Sequence, residues 1–167
     1  MNLFLLRHGV AVEREEFDFA RDDLRPLTVQ GKKQLRQVAA AMRVLELNCE
    51  LILSSPLVRA RQTAEIMAAD LKLKRHLAFA DELKPGGDFN GLIRRMVQLK
   101  PAVENILLVG HEPDLNELIS LLVTGNRGAG LALKKGGLAK LELEKLRAGK
   151  CATLRWLLTP ALLKRMR

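Results

Sequence analysis

Early in the chain the triplet Arg7-His8-Gly9 closes the apolar run Leu3-Phe4-Leu5-Leu6. A strand that delivers an imidazole and a guanidinium together, with a glycine that lets the backbone turn sharply behind them, makes a compact anion site around a potential nucleophile. Two more apolar runs end in related chemistry. Ile106-Leu107-Leu108-Val109 leads into Gly110-His111-Glu112-Pro113, and Leu51-Ile52-Leu53 leads into Ser54-Ser55-Pro56-Leu57-Val58-Arg59-Ala60. Three strands that each drop cationic or hydroxyl groups at the C-terminal end point at one crevice, the place where open α/β sheets hold their ligands. Two histidines and two arginines, without a cysteine or carboxylate pair beside them, suit a phosphoryl group better than a metal. The three histidines lie on separate segments with no H-x-x-x-H or H-E-x-x-H spacing, so neither a metal nor a cofactor is expected.

Neutral imidazole is a competent nucleophile near pH 7, provided that something compensates the negative charge it approaches. Arg7 and Arg59 can do so, because their planar guanidinium forks match phosphoryl oxygens in bidentate fashion. His111, if protonated, adds a donor for the equatorial oxygens while His8 attacks in line; water then hydrolyses the resulting phosphohistidine. That scheme requires His8 neutral and His111 cationic, and so an activity that falls on both sides of a pH optimum.

The order and content of these segments resemble the histidine phosphatase, or phosphoglycerate-mutase-like, superfamily. R-H-G follows the first strand, S-S-P-x-x-R-A-x-Q-T-A-E the second, and G-H a later one, over residues 2–158. Arg25-Pro26-Leu27-Thr28 followed by Gly31, and Glu82-Leu83-Lys84-Pro85-Gly86-Gly87-Asp88, look like the SixA-type protein phosphohistidine phosphatases. The resemblance implies catalytic roles for Arg7, His8, Arg59 and His111, and adds Arg25 as a phosphate ligand. It leaves the leaving group open. Ester-cleaving members place a carboxylic acid after the third strand, where Asp81 and Glu82 fall here, so Glu82 is a candidate general acid although its context is that of the type that does not require one. Val10 and Ala11 stand where the ester-cleaving pattern R-H-G-E-T has a polar pair. The expected substrate is therefore phosphohistidine on a protein, such as a histidine-containing phosphotransfer domain. A small-molecule phosphomonoesterase and a non-catalytic phosphate or phosphoprotein-binding module are the alternatives, and the presence of His8 speaks against the last.

The elements that must position these groups follow from periodicity. Leu35, Val38, Ala39, Met42 and Leu45 recur at helical spacing, predicting a helix over residues 29–47 with Thr28 as N-cap. Pro56 opens the next, with Ala60, Ala64, Met67 and Leu71 on one face and Arg59 in the first turn. A short strand over 77–79, a helix over 89–98 and a helix after Pro113 striped by Leu115, Leu118, Ile119 and Leu122 follow. Ala139, Leu141 and Leu143 alternate with Lys140, Glu142 and Glu144 as a strand with one wet face, and Leu154, Trp156 and Leu158 form a last strand stopped by Pro160. The expected fold is α/β: a three-layer α/β/α sandwich with a mostly parallel sheet and an antiparallel edge from the terminal pair. The glycine-rich stretch 125–130 lacks the G-K-[ST] ending of a phosphate loop and is read as a connection. Ser54 and Ser55 suit capping, and His76, in a basic run, suits the surface.

At 167 residues and 48% hydrophobic content the chain fits one domain, residues 1–167, with one sizeable core. It has no run of about 18 apolar residues and no charged leader, so no membrane span is expected and a cytoplasmic protein is. Cys49 and Cys151 lack C-x-x-C spacing and are expected as free thiols. The net charge of +9 steers toward an acidic partner surface. With aromatics at 4% and no tyrosine, base-stacking platforms are scarce, so nucleic acid is not the expected partner.

Overall fold

The computed structural model describes residues 1–17 and 19–166. Six strands, β1 (Asn2–Arg7), β2 (Leu51–Ser54), β3 (Leu77–Phe79), β4 (Asn105–Gly110), β5 (Leu138–Glu142) and β6 (Thr153–Leu158), form one sheet in the order β3-β2-β4-β1-β5-β6. The first four run parallel; β5 is antiparallel to β1, and β6 is antiparallel to β5. The reversed strand is thus β5 alone, and β6 returns to the common direction.

Strand alternation assigns side chains to two cores, one on each face. Leu3, Leu5, Leu53, Ile106 and Leu108 pack with α3 (Phe89–Val97) and α4 (Asp114–Thr124), whereas Phe4, Leu6, Ile52, Leu107 and Val109 pack with α1 (Val29–Val44), α2 (Val58–Asp70) and α5 (Pro160–Arg165). The central strands are apolar on both sides because both sides are covered, as parallel sheets require. This is the three-layer α/β arrangement.

Four details differ from expectation. α1 ends at Val44, three residues early, where Leu45 caps it and Glu46 adopts a positive φ of 52°. α2 begins at Val58 rather than at Pro56, still with Arg59 in its first turn. The supposedly wet face of β5 is covered at Leu138, which joins the α1/α2/α5 core, and Lys140 lies over the Phe4 ring at 5.9 Å. Last, Pro160 does more than stop β6: Thr159 accepts a hydrogen bond from the Leu162 amide, Pro160 occupies the first turn, and Leu163 is fully buried in a helix packed on α1. A proline suits that position because its missing N–H would have no helical partner there.

Thr28 caps α1 as expected, accepting from the Gly31 amide at 2.9 Å. His76 is exposed and both cysteines are free thiols. Among the described residues no helix is long and apolar enough to cross a membrane.

Candidate active site

The register of the three central strands explains why the motifs meet. Arg7 stands opposite Gly110, and Ser54 opposite Val109, so β1, β4 and β2 end nearly level. One step further, the His8 amide donates to Gly110 O at 3.0 Å and the Ser55 amide to Val109 O at 3.0 Å. His8, His111 and Ser55 therefore leave the sheet side by side, and the two imidazole centroids are 5.2 Å apart.

The loop after β1 is held against the helices by a few specific contacts. The Gly9 amide donates to Thr63 Oγ1 at 3.1 Å, and that hydroxyl donates to Arg59 O at 2.7 Å, linking the first motif to the second. Gln62 Oε1 accepts from the Leu27 amide at 2.8 Å, tying the R-P-L-T segment to the same helix. Ala11, fully buried, bridges to Leu27, and Val10 O accepts from both the amide and the hydroxyl of Thr28. Val10 and Ala11 thus secure the R-P-L-T segment. A Cβ on Gly31 would sit 2.1 Å from Val10 O, a backbone atom that cannot give way, so close approach of the two segments requires glycine there; one on Gly9 would meet Leu35 Cδ1 at 2.8 Å, a side-chain end that would have to shift.

A cavity of about 270 Å³ opens above the strand ends, lined by Arg7, His8, Arg25, Arg59, His111 and Glu112, with Glu13, Glu15, Pro85 and Lys135 at its sides. Arg25 donates from Nε to Asp22 Oδ1 at 3.0 Å and from Nη1 to Val12 O at 2.7 Å. Arg59 Nη1 donates to Asp22 O at 2.8 Å and pairs with Asp22 Oδ2 at 3.3 Å. Asp22, on the 3-10 turn Phe19–Leu24, thus holds two arginines in place. Arg7 Nη1 donates to Leu133 O at 3.0 Å, while its buried Nε has no partner among the described residues. Burial lowers the Arg7 pKa, and the neighbouring Glu112 opposes that shift. The guanidinium stays charged.

His8 Nδ1 lies 2.8 Å from Gly9 O. A carbonyl can only accept, so the proton sits on Nδ1 and Nε2 carries the lone pair. Burial, reinforced by His111, Arg59 and Arg7 against the raising effect of the Gly9 carbonyl, brings the His8 pKa down to about 3. The ring is a neutral nucleophile with its tautomer set. His111 Nε2 is 2.8 Å from Ser55 Oγ. Since Ser55 Oγ accepts from the Leu57 amide at 3.3 Å, its hydroxyl hydrogen can rest on Nε2, which places the ring proton on Nδ1, an atom with no partner among the described residues. Burial, with Arg59, also pushes His111 down to about 3. In the protein alone, the same desolvation and arginine field that keep His8 neutral keep His111 neutral, so the cationic His111 expected for the reaction step depends on the charge that the phosphoryl group brings. A bound phosphoryl dianion reverses that field and favours the proton.

Arg7, His8, Arg25, Arg59 and His111 are thus brought together. Glu82 is not: its carboxylate pairs with Arg95 on α3 at 3.2 Å and does not line the cavity, while Asp81 pairs with Lys84 at the surface. The E-L-K-P-G-G-D segment reaches the site through Pro85 instead, anchored where the Gly86 amide donates to Asp114 Oδ1 at 2.8 Å. Sequence reasoning missed Asp22, Gln62, Thr63 and Glu112. Gln62, Thr63 and Glu112 lay inside motifs already singled out, whereas Asp22 stood in an unpatterned loop.

Known proteins resemble this chain in sequence and in fold. Residues 3–101 match the family model of the histidine phosphatase superfamily, branch 1. The chain is 30% identical over 166 residues to the phosphohistidine phosphatase SixA of Escherichia coli, covering 98% of this chain and 97% of that protein. It is 33% identical over 132 residues to a SixA homolog of Haemophilus influenzae, covering 73% and 77%. The solved structure of the protein histidine phosphatase SixA complexed with tungstate superposes with a TM-score of 0.83 at 28% identity, covering 96% of this chain and 98% of that one. With the α/β sheet and the level strand ends already described, these likenesses make the chain a SixA-type member of the histidine phosphatase superfamily, a family of phosphatases.

Proposed function

We propose that the whole chain, residues 1–167, is one histidine phosphatase domain that removes the phosphoryl group from phosphohistidine on a protein, without a metal ion, through a phosphohistidine intermediate on His8. The observation that carries this reading is the His8 Nδ1–Gly9 O hydrogen bond, which leaves Nε2 unprotonated in a cavity walled by three arginines. In-line attack by Nε2 forms an Nε2–phosphorus bond as the leaving nitrogen departs with the electron pair. Because Nδ1 keeps its proton, the phosphorylated ring is an imidazolium, itself a good leaving group when water attacks. Arg7, Arg25 and Arg59 compensate the charge on the phosphoryl oxygens, and His111 donates to one of them. The substrate class is supported by the SixA relatives, which are named for phosphohistidine, and by Val10 and Ala11, which offer the loop after β1 no polar side chain. Two free thiols fit work in the cytoplasm, and the charge of +9 favours an acidic phosphorylated partner.

The test has two arms. An activated aryl phosphate needs little help to leave, so metal-free turnover of it reads the His8 machinery alone; His8→Ala should lower it at least about 1,000-fold while the far-ultraviolet spectrum is unchanged. The second arm compares a histidine-phosphorylated protein domain with sugar phosphates, nucleotides and phosphoserine peptides. Higher kcat/KM for the phosphorylated domain is expected. Preference for a sugar phosphate or nucleotide would replace this reading with a small-molecule phosphomonoesterase, and absence of turnover with retained phosphate binding would make the protein a phosphate-binding module.

A further inference from the structure

Beside the phosphoryl cavity lies a larger groove, about 780 Å³, walled by Leu131, Leu133, Asn116, Thr159 and Pro160. Arg7, Glu112 and Lys135 line both spaces, so these three residues form the ridge between them. A phosphoryl group held by the arginines with His8 behind it leaves the rest of the substrate to extend over that ridge. Among the ridge groups only Glu112 is a carboxyl. Its Oε1 is shut off from solvent and has no hydrogen-bond partner among the described residues.

From this placement, and resting on the phosphohistidine reading above, we propose that the group released from phosphorus departs into the groove and that Glu112 is the catalytic acid that protonates it. In the first step the Glu112 carboxylic acid gives its proton to the substrate imidazole at the ring nitrogen not bound to phosphorus. The phosphorus–nitrogen bond breaks with its electron pair going to nitrogen, and imidazole leaves neutral rather than as an anion. In the second step the Glu112 carboxylate takes a proton from the water that attacks phosphorus, the His8 Nε2–phosphorus bond returns its pair to the ring, and inorganic phosphate is released. Protons and charge balance over the cycle. Glu112 ends as it began.

The surroundings suit an acid that must be protonated at the start. Desolvation raises the Glu112 carboxyl to about 7, with Asp114 on α4 adding to the shift and Arg7 and the Asn116 side chain opposing it. Around it in the cavity stand the cations Arg25, Arg59 and Lys135, the carboxylates Glu13 and Glu15, and the two neutral imidazoles. Glu82, the acid expected from sequence, is occupied by Arg95 outside this space.

The experiment uses the full chain and Glu112→Gln, a substitution that keeps shape and removes the acid. Turnover is measured on a histidine-phosphorylated protein domain and on a series of aryl phosphates graded by the pKa of the released phenol. Loss of a general acid should lower kcat about 100-fold for phosphohistidine and for the most basic phenol, and less than about 10-fold for the most acidic phenol, so that rate depends more steeply on leaving-group pKa than in the parent. The parent kcat should fall above about pH 7 and the variant should lack that fall. A uniform loss across the series, with weaker competition by inorganic phosphate, would overturn the proposal and leave Glu112 as a residue that only holds Arg7. Ala132→Trp, on the groove wall and outside the chemistry, should raise KM for the phosphorylated domain about 10-fold and that for the smallest aryl phosphate far less; an unchanged KM for the domain would remove the groove from the proposal. If the parent ignores phosphohistidine altogether, the substrate reading fails while the aryl series still judges Glu112.

Discussion

At the scale of single residues, the site is built from side chains whose ordinary behaviour is altered by where they sit. His8 and His111 are 5% and 2% exposed, and neither can hold a proton cheaply beside Arg7 and Arg59. Positioning depends on residues with no chemistry of their own. Gly31 is the clearest case, because any Cβ there would collide with the Val10 carbonyl that accepts from Thr28. Gly31→Ala should cost about 1–3 kcal/mol, read as a lower denaturant midpoint with unchanged m-value, since the collision is with backbone and cannot be relieved by a rotamer change. It should also loosen the segment that carries Arg25, so phosphate competition should weaken in the same variant.

At the scale of elements, level strand ends converge the motifs and helices carry the rest. β1 brings Arg7 and His8, β4 brings His111 and Glu112, and α2 brings Arg59, with Thr63 fastening that helix to the turn after β1. The last helix, α5, closes the core on the α1 side. Its fully buried Leu163 packs in the same cluster as Leu35, Met42 and Leu138. Leu163→Ala should therefore destabilise the protein by about 2–4 kcal/mol in equilibrium unfolding, the cost of lost burial plus a cavity. A change under about 0.5 kcal/mol would mean that α5 is detached from the core in solution.

At the scale of the whole molecule, the active site sets how stability depends on pH. His8 and His111 have folded pKa values near 3 against 6.5 unfolded, so between these limits the unfolded state binds more protons and stability is lost as pH falls. Glu112 acts in the opposite direction: its folded pKa of about 7 exceeds 4.5, so the folded state holds the extra proton and stability is lost as pH rises. From about pH 4.5 to 6.5 two histidines and one carboxyl therefore leave a net of one proton, at most roughly 1.4 kcal/mol per pH unit from these three groups. Glu112→Gln should steepen the slope by up to about the same amount, and His111→Asn should flatten it. Chemical unfolding at several pH values measures both, and an identical slope in all three proteins would contradict the burial described for these groups.

Much of this was legible before folding. The apolar runs before Arg7, Ser54 and Gly110 identify strands buried on both faces, since only a covered sheet tolerates such runs, and the helical stripes supply the covers. Motif order then brings Arg7, His8, Arg25, Arg59 and His111 to one crevice. What local pattern cannot carry is the field and the packing that long-range contacts create. α5 is too short for a periodic signal, and Pro160 reads equally as a stop or as a first turn until Leu163 finds its core. Glu82 and Glu112 are equivalent as letters; Arg95 captures one, and burial at the cavity rim raises the pKa of the other. The field on His111 is equally unreadable in the chain, because the burial that excludes water from it and the arginines around it come from segments far apart. Periodicity depends on neighbours a few residues away and is written in the chain, whereas pKa values and cavity walls depend on neighbours that only folding assembles.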